Sequence, residues 1–337
     1  MKRNTSNYPI VACLLLCIAF LAGCGSSPAK ENSSATPSPS SSPQASASPS
    51  TAAGSSLTRT VTDQYGDKEI PADPERVFSV SATTPLLALG VTPVGGLNYE
   101  IVPDHYLSGY QDKIAIAGDY PPNYEAVVGL KPDLIIASSF IDAEVYEQLS
   151  KIAPTVVYPW EYNIYDQLRF IAGILDKTAE AEAWIGKHEE KAAAYKEQIM
   201  DYVEPDRTVA AIQIFQNSFQ VAGNRNMGFV LHDLLGLKRL PVMEQAIENN
   251  GGYLVYTDSL TLEMLPEYDA DYLVVKVDVT QPGSEQFFET MQQSPIWNNL
   301  TAVKNGNVFI VPHDKWWSFT LFSADALLDE ALALFKP

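Results

Sequence analysis

Cysteine is almost absent from this chain: Cys13, Cys17 and Cys24 are its three, and none follows. Beyond Cys24 there is no thiol for a disulfide, a thiolate zinc site, a cysteine nucleophile or an iron–sulfur cluster. Histidine is nearly as scarce. His105, His188, His232 and His313 lie far apart, with no ligand spacing, so a bare zinc or manganese site lacks converging donors. Basic residues number 22 against 41 acidic ones and nowhere cluster. At a formal charge of −19 the chain would repel a phosphate backbone, which excludes nucleic-acid binding. G-x-S-x-G, H-E-x-x-H, Walker A and G-x-G-x-x-G are all missing. Asp269 and Asp271 offer a pair of carboxylates for acid and base, but beside an apolar run they read better as a strand cap. A tethered hydrolase is therefore kept only as the alternative from the enzyme class.

Long apolar runs are missing too. Ile10 to Leu21 spans about a dozen residues, which is signal-peptide length and short for a bilayer, and Lys2 and Arg3 precede it. It ends Leu21-Ala22-Gly23-Cys24, which resembles the lipobox of bacterial lipoproteins. The resemblance implies cleavage before Cys24 and a lipid on its sulfur, with residues 1–24 as signal peptide. Residues 25–56 are Ser, Pro, Ala and Thr with little to bury, a disordered tether with a reach of about 30 Å.

From residue 57 the pattern changes. Arg59 to Asp63 followed by Gly66 reads as a hairpin. Short apolar strands then alternate with helices: strands Val77–Ser81, Pro93–Leu97, Leu134–Ala137 and Thr155–Tyr158, helices Pro85–Leu89, Asn123–Gly129 and Asp142–Ile152. After residue 203 the alternation resumes with strands Thr208–Ile214, Tyr272–Val277 and Asn307–Val311. The helices there are Met227–Leu235, Leu260–Leu265, Glu285–Gln292 and Ser323–Leu334. This is the signature of parallel-type sheets covered on both faces.

Between the two halves, Ala181, Trp184, Ile185, His188, Ala192, Tyr195, Ile199 and Val203 recur at steps of three and four. The spacing predicts one helix over Thr178–Val203, about 38 Å long, capped by Thr178 and stopped by Pro205. The expected architecture is two α/β lobes, residues 57–177 and 204–337, joined by that helix, with a ligand cleft between them. Each half carries one echo: Asn123-Tyr124-Glu125 leads to Pro132-Asp133-Leu134, and Thr261-Leu262-Glu263 leads to Ala270-Asp271-Tyr272. In both, an aspartate follows the glutamate by eight positions and a strand begins at once.

Val61-Thr62-Asp63 with Gly66, Pro74-Glu75-Arg76-Val77, Leu86 to Val91, Leu130 to Ala137, Ile152-Ala153-Pro154-Thr155 and Trp297 to Gly306 stand in the order and spacing of a known family. The chain resembles the solute-binding lipoproteins of bacterial ABC importers for ferric siderophores, haem and cobalamin, over nearly all of residues 58–337. The resemblance implies a non-enzymatic, monomeric, extracytoplasmic protein without a cofactor, which delivers its ligand to permease subunits served by a cytoplasmic ATPase. It also implies that Glu125 and Glu263, one per lobe, meet arginines of the permease.

In open α/β sheets ligands bind beyond the carboxyl ends of strands. The loops there offer Thr83, Tyr99, Phe140, Trp160, Arg225, Lys315, Trp316 and Trp317 as ligand-binding candidates. Tryptophans in loops that neither pack nor bind are costly, which also disfavours a purely structural surface protein. Arg225 and Lys315 are the only cations among them, too few for a tri-anionic catecholate. Aromatic walls with few charges suit a nearly neutral ferric hydroxamate, whose iron is held by the siderophore and not by the protein. Haem, cobalamin or another metal chelate is the alternative.

Overall fold

The computed structural model describes residues 57–336. The signal peptide, Cys24 and the tether lie outside the described residues.

The chain enters through a hairpin of β1 (Thr58–Asp63) and β2 (Gly66–Pro71). The Asp63 carboxylate accepts the Val157 amide at 2.7 Å and pairs with Lys68, which ties the hairpin to the first lobe. That lobe holds a five-stranded, wholly parallel sheet of β3 (Val77–Val80), β4 (Gly95–Gly96), β5 (Ala115–Ile116), β6 (Leu134–Ser138) and β7 (Thr155–Tyr158), in the order β5-β4-β3-β6-β7. Strands β3, β6 and β7 are buried along their whole length, as a parallel sheet covered on both faces requires.

The second lobe has β8 (Thr208–Phe215), β9 (Ser218–Val221), β10 (Lys238–Arg239), β11 (Tyr272–Val277) and β12 (Val308–Val311). Strands β10-β8-β11-β12 are parallel, and β9 folds back antiparallel on β8. That hairpin departs from the expected all-parallel pattern. Its loop is only Gln216-Asn217, with Gln216 at φ 54, the left-handed conformation that a tight two-residue turn demands and that glutamine seldom signals.

The echo of the two halves has a physical basis. Asp133 accepts the amides of Glu75 and Arg76 just before β3, at 2.9 and 3.0 Å. Asp271 accepts the amide and hydroxyl of Thr208 at the start of β8, at 2.8 and 3.0 Å. Each aspartate thus clamps the start of its neighbouring parallel strand. Asp269 similarly takes the amide and hydroxyl of Thr301, at 2.7 Å each.

The bridging helix runs Thr178–Ile199, four residues shorter than expected. Thr178 is its first helical residue and not its cap; Lys177 precedes it without a side-chain capping bond. Residues 200–203 turn away, and Val203 is buried in the second lobe. The bridge is also not single. The final helix, Leu321–Phe335, lies along it, placing Leu321 and Ala324 in the first lobe's core and Leu327, Leu328, Ala331 and Phe335 in the second's. Lys191 joins the two helices through Asp325 (3.2 Å) and Asp329 (2.9 Å), and the Tyr195 hydroxyl donates to Asp329 at 2.5 Å.

Candidate functional site

The carboxyl ends of both sheets open onto one cavity of about 570 Å³ at the junction of the lobes, within the range of small-molecule sites. The segment after β3 contributes Ser81 and, from the first turn of the helix Thr83–Ala88, Thr84; the segment after β4 contributes Tyr99 and Glu100. Phe140, Tyr158 and Trp160 come from the ends of β6 and β7, and Arg225, Asn226, Trp317 and Phe319 from the second lobe.

Arg225 is 5% exposed. Its Nη1 donates across the junction to the carbonyls of Tyr162 (3.0 Å) and Glu161 (3.5 Å). The guanidinium lies 4.2 Å from the Phe319 ring centre, 4.7 Å from Trp160 and 5.2 Å from Tyr253, a cation–π box of the kind that holds arginine best. Burial lowers its pKa, yet the group stays charged at any ordinary pH. Among the described residues it has no carboxylate within ion-pair distance.

The opposite wall is built on a strained residue. Ser81, at φ 67, ends β3 in the left-handed region. Its amide and that of Thr83 both donate to Glu100, at 3.0 and 2.6 Å. The Ser81 hydroxyl meets the Tyr99 hydroxyl at 2.6 Å, and its carbonyl accepts from Tyr158. Burial pushes the Tyr99 phenol up to about 12 and Tyr158 higher still, so both stay protonated as hydrogen-bond donors. Phe140 and Trp160, with ring centres 5.6 Å apart, close the mouth; Phe140 is 72% exposed.

Five of the eight ligand candidates thus line one cavity: Tyr99, Phe140, Trp160, Arg225 and Trp317. Three do not. Thr83 is fully buried, its hydroxyl donating to Ser79 Oγ at 2.9 Å, and the next residue, Thr84, faces the cavity. Lys315 and Trp316 both turn to the final helix, where Glu330 takes Lys315 Nζ at 2.7 Å and Trp316 Nε1 at 3.0 Å. Trp316 is 1% exposed and belongs to the second lobe's core. It sits in the short helix His313–Trp316, not in a loop, so successive side chains diverge and only Trp317 reaches the cavity. Sequence reasoning missed Glu100, Asp104, Tyr158 and Phe319. Glu100 directly follows Tyr99 and was within reach of the same argument; Tyr158 was hidden as the last residue of a strand. Glu125 and Glu263 are both exposed in the first turns of their helices, one on each lobe.

Two α/β lobes, a doubled helical bridge and an aromatic cavity at the junction define a solute-binding protein. Residues 81–315 match the periplasmic binding protein family, and the chain belongs to it. This is a family of binding proteins and not of enzymes. The chain is 28% identical over 338 residues to the iron(3+)-hydroxamate-binding protein YxeB of Bacillus subtilis (strain 168), covering 98% of this chain and 95% of the relative. It is 31% identical over 301 residues to the iron(3+)-hydroxamate-binding protein FhuD of the same organism, covering 88% and 87%. Among solved structures, Staphylococcus aureus SirA complexed with staphyloferrin B superposes with a TM-score of 0.72 at 28% identity, covering 82% of this chain and 98% of that one.

Proposed function

We propose that this protein captures a ferric siderophore of the hydroxamate type and delivers it to an ABC permease with a cytoplasmic ATPase. The observation that carries this reading is the cavity itself: seven aromatic residues, Tyr99, Tyr120, Phe140, Tyr158, Trp160, Trp317 and Phe319, line it with Arg225 as the one cation among the described residues. Rings and one guanidinium grip the organic shell of a nearly neutral chelate and its hydroxamate oxygens. In this reading the chelator supplies all of the iron's ligands, and the protein holds the organic shell around it. Residues 1–24 serve as the signal peptide, 25–56 as the tether, and lipid on Cys24 holds a monomer at the outer face of the cell membrane. Glu125 and Glu263 dock the permease.

Fluorescence titration of the purified protein tests the ligand. A ferric trihydroxamate should quench Trp160 and Trp317, and Trp160→Phe or Trp317→Phe should remove part of that signal. Saturable quenching by haemin or a corrinoid, with none by any ferric hydroxamate, would replace the reading.

A further inference from the structure

We propose that the cavity selects its chelate by charge: Glu100 and Asp104 form a subsite for a cationic group, a primary ammonium on the shell of a ferric hydroxamate, and disfavour anionic complexes. The inference rests on the hydroxamate reading and deepens it.

Both carboxylates line the cavity, four residues apart in one segment. Ser81 and Thr83 aim two backbone amides at the two oxygens of one carboxyl group, a nest suited to an anion. Glu100 already fills it and also accepts the Ser79 hydroxyl at 3.3 Å. An anionic ligand therefore finds that position already taken by a carboxyl group of the protein. Asp104 is 2% exposed and accepts the Tyr106 amide at 2.8 Å. Neither carboxylate has a cationic partner within ion-pair distance among the described residues. Ser318 lines the same cavity at 5% exposure beside Asp104, and its hydroxyl meets no partner at ordinary hydrogen-bond geometry.

Two carboxylates and the Ser318 hydroxyl offer acceptors to the three N–H donors of an ammonium. Among the described residues Arg225 is the one cation lining the cavity, enclosed by rings and carbonyls, so with every group ionised negative charge prevails. Burial raises the pKa of both carboxyl groups. A cation seated between them would return the stabilisation that water no longer gives. The chain's formal charge of −19 acts in the same direction at longer range.

Three probes differing only in charge test this: the ferric complex of a linear trihydroxamate ending in a primary ammonium, the same complex N-acetylated, and the same complex N-succinylated. For a charge several ångströms from the carboxylates, affinity should fall by roughly 5- to 20-fold at each step. Salt at about 0.5 M should narrow these ratios without removing them, because the subsite is out of solvent. Glu100→Gln and Asp104→Asn should compress the step from ammonium to acetamide, with circular dichroism confirming the fold. The series on the unaltered protein decides the matter even if a variant misfolds. Equal affinities, or preference for the succinylated complex, would overturn charge selection while leaving hydroxamate capture intact. Binding of none of the three, alongside binding of ferric citrate or haemin, would overturn the hydroxamate reading and this inference with it.

Discussion

Arg225→Ala removes a cation from the junction of the lobes, and its effect has two separable parts. The first is on the empty protein. A guanidinium donating to the Tyr162 carbonyl at 3.0 Å contributes about 1–1.5 kcal/mol, and its enclosure by Phe319, Trp160 and Tyr253 about 0.5–2 kcal/mol more. Relief of the cost of burying the charge offsets part of this, so we expect a net loss of about 1–2 kcal/mol, read by urea denaturation. Arg225→Lys keeps the charge without the planar fork and should restore less than half. A double-mutant cycle with Phe319→Leu should give a coupling of about 0.5–1.5 kcal/mol. The second part is on the ligand: loss of a charge-assisted bond to a hydroxamate oxygen should weaken binding by about 1–3 kcal/mol. Stability within about 0.5 kcal/mol of the parent and no coupling to Phe319 would refute the junction role. Unchanged affinity would show that Arg225 does not touch the chelate.

The buried His232, bonded to the Leu237 carbonyl at 2.8 Å, has its pKa lowered by burial to about 4, whereas an unfolded histidine titrates near 6.5. The unfolded chain then holds the extra proton between these values, so this contribution is complete above about pH 6.5 and lost on acidification towards 4, by up to about 3 kcal/mol. His232→Gln should flatten that part of the stability profile; an unchanged slope would assign it elsewhere. Replacing Glu125 and Glu263 together by alanine should leave chelate affinity and melting temperature in place while cellular uptake drops sharply, and normal uptake would remove the docking role. Cys24→Ser should release the folded protein from membranes; pelleting after a high-salt wash would contradict lipid anchorage. Small-angle scattering should give nearly the same radius of gyration with and without ligand, and a decrease of several ångströms would contradict a stiff bridge.

Much of the fold is readable where burial is one-sided or complete. Strands Thr155–Tyr158 and Tyr272–Val277 begin and end where their apolar runs do, because turn-forming or charged residues flank them. The bridging helix shows in its spacing, since one stripe meets both cores. Other elements depend on tertiary context. The helix Ile164–Leu175 and the helix Pro241–Asn249 were not assigned, although Asn163 caps the first and Pro241 opens the second. Phe229–Leu234 winds as a wide π-helix, a shape without a period distinguishable from 3.6 over six residues. The site was half legible for a related reason. Sequence position assigns a side chain to a loop, but which of Trp316 and Trp317 turns inward depends on Glu330, fourteen residues from Trp316.

The second helix beside the bridge bears on how loaded and empty copies are told apart. With two helices clasped through Lys191, Asp325 and Asp329, the lobes should hold their separation whether or not the cavity is occupied. The distance between Glu125 and Glu263 then carries no news of cargo, and a permease gripping those two points would accept an empty carrier as readily as a full one. Empty carriers become competitors for the transporter. Under this hypothesis, adding an excess of unloaded, unanchored protein should slow uptake; undiminished uptake would mean that occupancy is read at the cavity mouth, where Phe140 stands exposed.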